Sequence, residues 1–479
     1  MSNILEAAGV PVEIDPTPPE MNLAPRDVEG LLEELRWYHI RFSPLFRRQE
    51  QRRWSYKYLE GLLLEIPNKA IEPMAERLEG GNVRAMQQFI GAGAWDDGAI
   101  LRQHQRLVDE SLGEPAGVLI VDDSGFPKQG SHSVGVKRQY CGVLGKVANC
   151  QVGVFIGYAS SKGYTLVDCQ LYMPEEWFGD EYAERRRKCG VPEDLTFQTK
   201  PQIAWALLEP LITEKRIRFR WVTMDEGYSE DPQFLDNLDQ VGAWYMAEVA
   251  CDTRVWQERP RTYVPPPSNR GRPPSKERVV PEAPKPQRVD AIAAGLPAEV
   301  WEVHWIKEGA KGPMVAEFAF LRVVTVHHGL PGRDHWLVLR RGLGETPTIK
   351  YFISNAPADT PHTELVRVSA MRWPVETSIE EGKGEVGMDD YQTRSWRGWH
   401  HHMTMTLLAH FFLVRLRLKL QDRAPALTVP QVRILLQVVL PKKEFDAQEA
   451  LRLIQRMQRR HHAAYLSHRK RKIQRLDGL

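Results

Sequence analysis

The stretch Val118-Leu-Ile-Val-Asp-Asp-Ser124 decides the fold, because a short apolar run leads directly into two acidic residues. The run 118–121 is rich in β-branched residues and follows a glycine, which is typical of a buried strand. Side chains alternate along a strand, so Asp122 and Asp123 cannot both face one site. We therefore expect a buried strand that ends at Asp122, in a fold that contains a sheet.

The residues after this strand continue a pattern of alternating strands and helices. Each segment is bounded by Gly, Ser or Pro, and the helical segments place their apolar residues at intervals of three and four. The expected strands are 151–158, 164–173, 217–224 and 243–249, and the expected helices are 197–212 and 233–238. Three strands followed by helix, strand, helix and strand predict an α/β core with a mixed sheet.

The flanking segments have different compositions, which divides the chain into six regions. The stretch 260–286 contains nine prolines in 27 residues, so it is expected to be extended or disordered. The expected regions are a disordered tail (1–27), a helical DNA-binding domain (28–112), the first part of the α/β core (113–250), a β-rich insertion with a Pro-rich basic loop (251–350), the second part of the core (351–425) and a basic helical C-terminal region (426–479).

Composition excludes several classes of protein. The chain has 479 residues and a net charge of +2, which fits a multi-domain protein that is not strongly basic overall. Its five cysteines are an odd number without a Cys-x-x-Cys pair, which argues against a disulfide framework or a zinc ribbon. The longest apolar run, 403–414, is too short for a bilayer span and contains His410. We expect no membrane segment and a cytoplasmic location.

Three acidic residues occupy similar local contexts. Asp122 and Asp225 each follow an apolar strand, and Glu376 lies at the start of a helix. Carboxylate oxygens at the ends of adjacent strands can hold two hard cations a few ångströms apart, as two-metal phosphoryl transfer requires. Asp123 is an alternative first ligand, and Glu380 and Glu381 are alternative third ligands. These residues predict a divalent-metal site that serves as both the catalytic and the metal-binding centre.

Two cations accompany Glu376 at helical spacing. Arg372 precedes Glu376 by four residues and Lys383 follows it by seven, which places all three on one helix face, with Pro374 in the first turn. The pair could hold the phosphates of DNA beside the metals, with arginine supplying a bidentate fork. Surface ion pairing along the helix is the alternative interpretation.

The spacing of these residues resembles bacterial insertion-sequence transposases of the DDE class. That group carries a Tyr-x2-Arg-x3-Glu-x6-Lys signature after a long β-strand insertion, and Arg372, Glu376 and Lys383 match it, while Ser369 stands at the tyrosine position. The stretches 138–146, 149–152 and 387–394 are also similar, so the resemblance covers roughly residues 30 to 420.

The resemblance implies a fold and a function. The core would be RNase H-like, and Asp122, Asp225 and Glu376 would bind two Mg²⁺ ions, which Mn²⁺ could replace. The protein would be a nucleoid-associated transposase that acts as a homodimer on terminal inverted repeats and target DNA, with cut-and-paste cleavage and strand transfer. The alternatives are a nuclease of the same fold without strand transfer and a domesticated DNA-binding protein.

Three further stretches bear on DNA contact. Arg270 and Arg272 lie in an Arg-Gly-Arg-Pro sequence that resembles an AT-hook, in which arginines enter narrow minor grooves; a solvated linker is the alternative. The segment 452–475 has nine Lys or Arg and no acid, which suits phosphate contact. The consecutive histidines 400–402 point in different directions on a helix, so we expect packing rather than metal binding.

Overall fold

The computed structural model describes residues 10, 17, 19–266, 276–309, 312–344, 347–443 and 446–476. Most of the predicted tail lies outside these residues, as do Arg270 and Arg272. Helices begin at Pro25, slightly earlier than the predicted boundary. The first six are α1 (Pro25–Glu29), α2 (Leu31–Ile40), α3 (Gln49–Leu63), α4 (Ile71–Arg77), α5 (Val83–Gly91) and α6 (Asp97–Leu112).

Local capping residues fix two of these helices. The Asn82 side chain accepts a hydrogen bond from the Ala85 amide at the start of α5, and Asp96 does the same for Ala99 at the start of α6. Each cap satisfies a backbone N–H group that the helix itself leaves without a partner. The helical prediction for this region is therefore confirmed.

A mixed sheet follows the helices. Its first strands are β1 (Val118–Pro127), β2 (Lys137–Cys141), β3 (Lys146–Ala159), β4 (Tyr164–Tyr172), β5 (Trp221–Met224) and β6 (Trp244–Val249). β1 pairs antiparallel with β3 and parallel with β5, and β5 pairs parallel with β6. On its other side β3 carries β2 and β4. The predicted mixed sheet is confirmed, and the fourth of the predicted strands, β5, lies beside β1.

Two details of the predicted strands were wrong. β1 does not end at Asp122 but continues for five residues to Pro127, because β3 keeps pairing with it after β5 has ended. The strand β2 was not predicted, since its five residues carry little apolar periodicity. The helices that connect this part of the sheet are α7 (Ala183–Cys189), α8 (Lys200–Thr213), α9 (Glu226–Ser229) and α10 (Pro232–Gln240).

The β-rich region extends the same sheet. Its elements are β7 (Arg254–Trp256), β8 (Thr262–Tyr263), β9 (Arg278–Val279), β10 (Gln287–Arg288), α11 (Val289–Gly295), β11 (Glu302–Gly309), β12 (Gly312–His327), β13 (Leu330–Gly342) and β14 (Ile349–Ser354). β14 pairs with β6, so these strands continue a single sheet that has 12 strands within the described residues. β8 and β9 form a separate pair on either side of the undescribed part of the Pro-rich loop.

Helices complete the fold after the last strand. They are α12 (His362–Ser369), α13 (Trp373–Val386), α14 (Trp396–Leu420), α15 (Val429–Leu436) and α16 (Ala447–Leu476). Almost every residue of α14 from Gly398 to Val414 is buried, because the helix lies between the N-terminal helices and β4. Tyr38 in α2 donates a hydrogen bond to the Leu408 carbonyl at 2.9 Å. The N-terminal helices and the sheet therefore share one hydrophobic core.

None of the helices in the described part of the chain is long and apolar enough to cross a membrane. The histidines on α14 are packing residues, as predicted. The His401 ring stacks on Trp95 at 3.6 Å, and His402 is hydrogen-bonded to the Tyr58 hydroxyl at 2.8 Å.

Replacing Phe411 tests the shared core. Its buried ring contacts Tyr38 and His104 with centroid separations of 6.5 and 5.2 Å. Phe411→Ala should lower the free energy of unfolding by about 3–5 kcal/mol, because it opens a cavity between the helices and the sheet. Ile434→Ala, at an exposed position of α15, should change it by less than about 0.5 kcal/mol. Urea denaturation of both variants measures the difference, and equal midpoints would refute the shared core.

Candidate active site

Three acidic residues lie level with one another on neighbouring parallel strands. The β1–β5 register pairs Ile120 with Thr223, so two further residues bring Asp122 level with Asp225. The β5–β6 register pairs Met224 with Ala247, so one further residue brings Glu248 level with Asp225. Parallel strands at the same level present their side chains on the same face. The structure thus joins two predicted residues and adds a third acid, Glu248, that the sequence interpretation missed.

The structure separates Asp122 from Asp123. Oδ1 of Asp122 accepts a hydrogen bond from the Asp123 amide at 2.8 Å. The Asp123 side chain forms an ion pair with Lys200, the first residue of α8, at 2.8 Å. Asp123 thus has a cationic partner of its own, although it also contributes to the raised pKa of Asp225, whereas Asp122 is influenced by both Arg372 and Asp225. This arrangement favours Asp122 as the first ligand.

Arg372 contacts acidic groups from three different elements. Its Nη2 lies 2.7 Å from Oε1 of Glu376. Its Nη1 lies 3.5 Å from Oδ2 of Asp225 and 4.0 Å from Oε2 of Glu248. One guanidinium therefore connects Glu376 to the acids of the sheet, across the β-rich region that separates them in sequence.

Burial and mutual repulsion perturb the acids of this cluster. Burial raises the pKa of Asp122 from 3.8 to about 7, Asp225 adds to the shift, and Arg372 opposes it. Burial also raises the pKa of Asp225, again against the effect of Arg372. Burial works against the charge of Arg372, but the acids around it outweigh that effect and raise the pKa of the guanidinium. Perturbed carboxyl groups of this kind are common at functional sites.

The helix that carries Arg372 and Glu376 is packed closely against the sheet. Arg372 occupies the N-cap position of α13, and Pro374 lies in the first turn, as the sequence predicted. Val375 packs on Gly157 of β3, where an added Cβ would lie 3.0 Å from the Val375 side chain. A side chain at residue 157 would crowd Val375, so Gly157 favours the close approach of α13 to the sheet.

Two lysines lie close to the acids, one bound to β1 and the other packed on α13. Lys383 Nζ donates to the Ser124 hydroxyl at 2.8 Å and to the Gly125 carbonyl at 3.2 Å, so it is bound to β1 just beyond Asp122. Lys307 on β11 places its ammonium 3.6 Å from the centre of the Trp373 ring, and burial lowers its pKa while Glu376 opposes the shift. The sequence interpretation missed Lys307, because only the fold brings β11 next to α13.

The remaining predicted residues lie apart from this cluster. Glu381 is hydrogen-bonded to the buried His410 ring at 2.8 Å, which directs it towards α14. Glu380 is exposed on α13. Ser369, at the signature's tyrosine position, is buried and donates to the Val366 carbonyl at 2.8 Å. These contacts favour Glu376 over Glu380 and Glu381 as the third ligand.

The donor set fits a hard divalent cation. Carboxylate oxygens are the ligands that Mg²⁺ and Mn²⁺ prefer. Oδ1 of Asp225 is buried and accepts no hydrogen bond of regular geometry from the described residues. Within these residues, no three His, Cys, Asp or Glu side chains meet as a metal-binding group, and Glu376 accepts a hydrogen bond from Arg372. A cation at Asp122 and Asp225 would therefore compete with Arg372.

The raised pKa of Asp122 predicts a pH-dependent stability. The folded protein holds this proton more tightly than the unfolded chain, so stability falls as pH rises from 3.8 to about 7. With a chelator present, Asp122→Asn should be more stable than the wild type by about 2 kcal/mol at pH 8, and the gain should shrink at lower pH. Thermal unfolding across this range measures the effect. Exposed Asp359→Asn is the control, and a gain that is independent of pH would contradict the prediction.

The chain resembles known proteins in this part of its sequence. A family described as "DDE superfamily endonuclease" matches residues 41–313, which is more than half of the chain. The match includes Asp122 and Asp225 and ends before Glu376. A probable transposase for insertion sequence element IS701 from Microchaete diplosiphon is 25% identical over 365 residues, which cover 75% of this chain and 80% of that protein.

Among solved structures, the NurA nuclease from Sulfolobus solfataricus is 11% identical, over 59% of this chain and 86% of that chain. Its TM-score of 0.26 is too low to support an argument about fold or function. The extent of the family match is decisive, and the chain belongs to the DDE superfamily endonuclease family.

Proposed function

We propose that the protein is the transposase of an insertion sequence, which cuts and joins DNA at the row of acids on β1, β5 and β6. The observation that carries the proposal is the contact of one guanidinium with both Asp225 and Glu376, together with the position of Asp122 level with Asp225 on the neighbouring strand. The similarity to a protein named as a probable transposase supports it. The strand order β4-β3-β1-β5-β6, with the first three antiparallel and the last two parallel to β1, supports an RNase H-like core.

Divalent cations would be held by Asp122, Asp225 and Glu376. Two Mg²⁺ ions would supply an activated nucleophile and stabilise the leaving oxygen during phosphodiester cleavage. The residues of this chain would bring the cations and the DNA together. Asp122 and Asp225 lie on a rigid sheet, whereas Glu376 would turn from Arg372 towards them. Arg372 would then be available for a DNA phosphate, as its planar fork allows.

DNA would contact several basic groups around this edge. Lys383 and Lys307 flank the acids, and Arg372 lies among them. Arg270 and Arg272 in the Pro-rich loop, the arginines of 36–53 and the helix α16 would add phosphate contacts. We propose that the N-terminal helices recognise the terminal inverted repeats and that two copies act together on the paired ends.

Substitution of Asp225 tests the catalytic role. Asp225→Ala should lower DNA cleavage by at least about a hundredfold, because a cation ligand is lost, and should leave duplex binding intact. The adjacent Glu226 is exposed and lies at the start of the same short helix, so Glu226→Gln is a matched control that should keep cleavage close to the wild-type level. Cleavage of a labelled terminal-repeat fragment with Mg²⁺ measures both. Unchanged cleavage in Asp225→Ala would refute the assignment and favour a DNA-binding protein without catalysis.

The products distinguish a transposase from a nuclease. The wild-type protein, given a terminal-repeat fragment, a target plasmid and Mg²⁺, should produce cleaved ends and fragments joined to the plasmid through a 3′-hydroxyl. Lys383→Ala should reduce both products, since it removes the contact that binds α13 to β1 beyond Asp122. Cleaved ends without joined products, under conditions in which the ends are bound, would favour the nuclease.

A further inference from the structure

The hairpin of β2 and β3 ends in an exposed apolar tip that the proposed chemistry does not use. The tip consists of Tyr140, Val143, Leu144 and Val147, whose residues are 64, 58, 43 and 55% exposed. The turn Gly142–Leu144 is followed by Gly145, whose backbone has a φ of 60°. Residues with a side chain disfavour this left-handed conformation, which explains the glycine at this position. Four apolar side chains exposed together on a turn are unusual and indicate a binding surface.

The hairpin is held rigidly at its base. Asn149 Nδ2 donates to the Lys128 and Gly130 carbonyls at 2.7 and 2.9 Å, and Gln139 Nε2 donates to the Cys150 carbonyl at 3.0 Å. Cys141, Cys150 and Val152 form a small buried cluster below the tip. The tip is therefore preorganised, so that little conformational entropy would be lost when it binds a partner.

The tip projects from the edge of the sheet that carries the acids. β1 continues past Asp122, and Asp122 pairs with Phe155 of β3. From Phe155 to Lys146, at the start of β3, is a distance of about 30 Å at roughly 3.3 Å per residue. That length is close to one turn of duplex DNA, about 34 Å. A duplex with a phosphate at the acids can therefore reach the tip within about one turn.

The charge around the tip suits DNA. The sequence between Asp123 and Asp168 contains no acidic residue. Arg138 and Lys146 are exposed on the hairpin, and Arg138 lies on the same face as Tyr140. An identical tip from a second copy would bring these like charges together, which opposes pairing of two tips. The phosphates of a DNA duplex bound at the tip would instead neutralise the charges of Arg138 and Lys146.

We propose that this tip binds duplex DNA by inserting apolar side chains between base pairs from the minor groove, while Arg138 and Lys146 bind the flanking phosphates. Proteins that kink DNA commonly use such an apolar wedge, and the energy lost in unstacking is offset by new contacts. The inference rests on the proposed function, since it places the contact on the DNA that is cut or joined at Asp122 and Asp225. It assigns a role to residues 138–146, which take no part in the proposed chemistry at the acids.

The test uses the full-length protein and a fluorescein-labelled 40-bp duplex, with a second duplex that carries 2-aminopurine every ten base pairs. For Val143→Ser with Leu144→Ser, we expect duplex affinity to fall about tenfold with the same salt dependence, because two apolar contacts are lost and the charges remain. The rise in 2-aminopurine fluorescence on binding, which reports unstacking, should disappear. Arg138→Ala with Lys146→Ala should instead reduce the slope of log affinity against log salt by about two.

The matched control is Ile434→Ser with Val438→Ser, an equally exposed apolar pair on and just after α15, and it should bind as the wild type does. Wild-type affinity and unstacking in the Val143 and Leu144 variant would overturn the inference and leave the proposed function standing. A change in the mass of the DNA-free protein on substitution of the tip would overturn it in favour of self-association. Failure of the wild type to bind any duplex would overturn the proposed function and this inference together.

Discussion

The contact of the Arg372 guanidinium with acids from three elements is the interaction on which the site depends. Asp225 and Glu248 come from neighbouring strands and Glu376 from α13, and a single side chain lies within 4.0 Å of all three. Burial raises the pKa of Asp122 and the nearby Asp225 adds to the shift, whereas the positive charge of Arg372 opposes it. Arg372 therefore neutralises the acids and also fixes α13 over the edge of the sheet.

That contact constrains the rest of the fold. α13 lies near the acids because β14 returns the chain to the sheet beside β6, and Gly157 leaves space for its close approach to β3. The β-rich region 251–350 does not interrupt the core, since its strands, apart from the β8–β9 pair, extend the same sheet. Lys307 shows that this region also contributes directly to the site. The long β-rich region is thus part of the same sheet as the acids and packs against α13.

The sequence predicted the features that depend on local pattern. Apolar periodicity located many of the helices and strands, and the spacing of Arg372 and Glu376 correctly placed them at the start of one helix. Features that depend on which strands pair, and in which register, could not be read from local sequence. Asp122 lies inside β1 because β3 continues to pair with it, and Glu248 joins the site through the register of β5 and β6. As the one charged residue in the short strand β6, Glu248 gave a signal that could have been noticed.

The choice between Asp122 and Asp123 as the proposed first ligand also shows what local sequence can and cannot predict. Alternation along the strand shows that Asp122 and Asp123 face different ways, but it does not say which one faces the site. The contacts of the two residues differ, since Asp123 is paired with Lys200 whereas Asp122 is influenced by Arg372 and Asp225, and this difference supports the proposal of Asp122. The assignment of Glu376, which lies beyond the family match, likewise depends on geometry.

The central claim is that these acids form a cation site which Arg372 shares. Anomalous diffraction from crystals of the full-length protein soaked in Mn²⁺ tests it most directly. The predicted result is Mn²⁺ bound between Asp122 and Asp225, with Glu376 turned towards the ion and the Arg372 guanidinium displaced from Asp225. Mn²⁺ bound only elsewhere, with the Arg372 contacts unchanged at saturating concentrations, would contradict the claim.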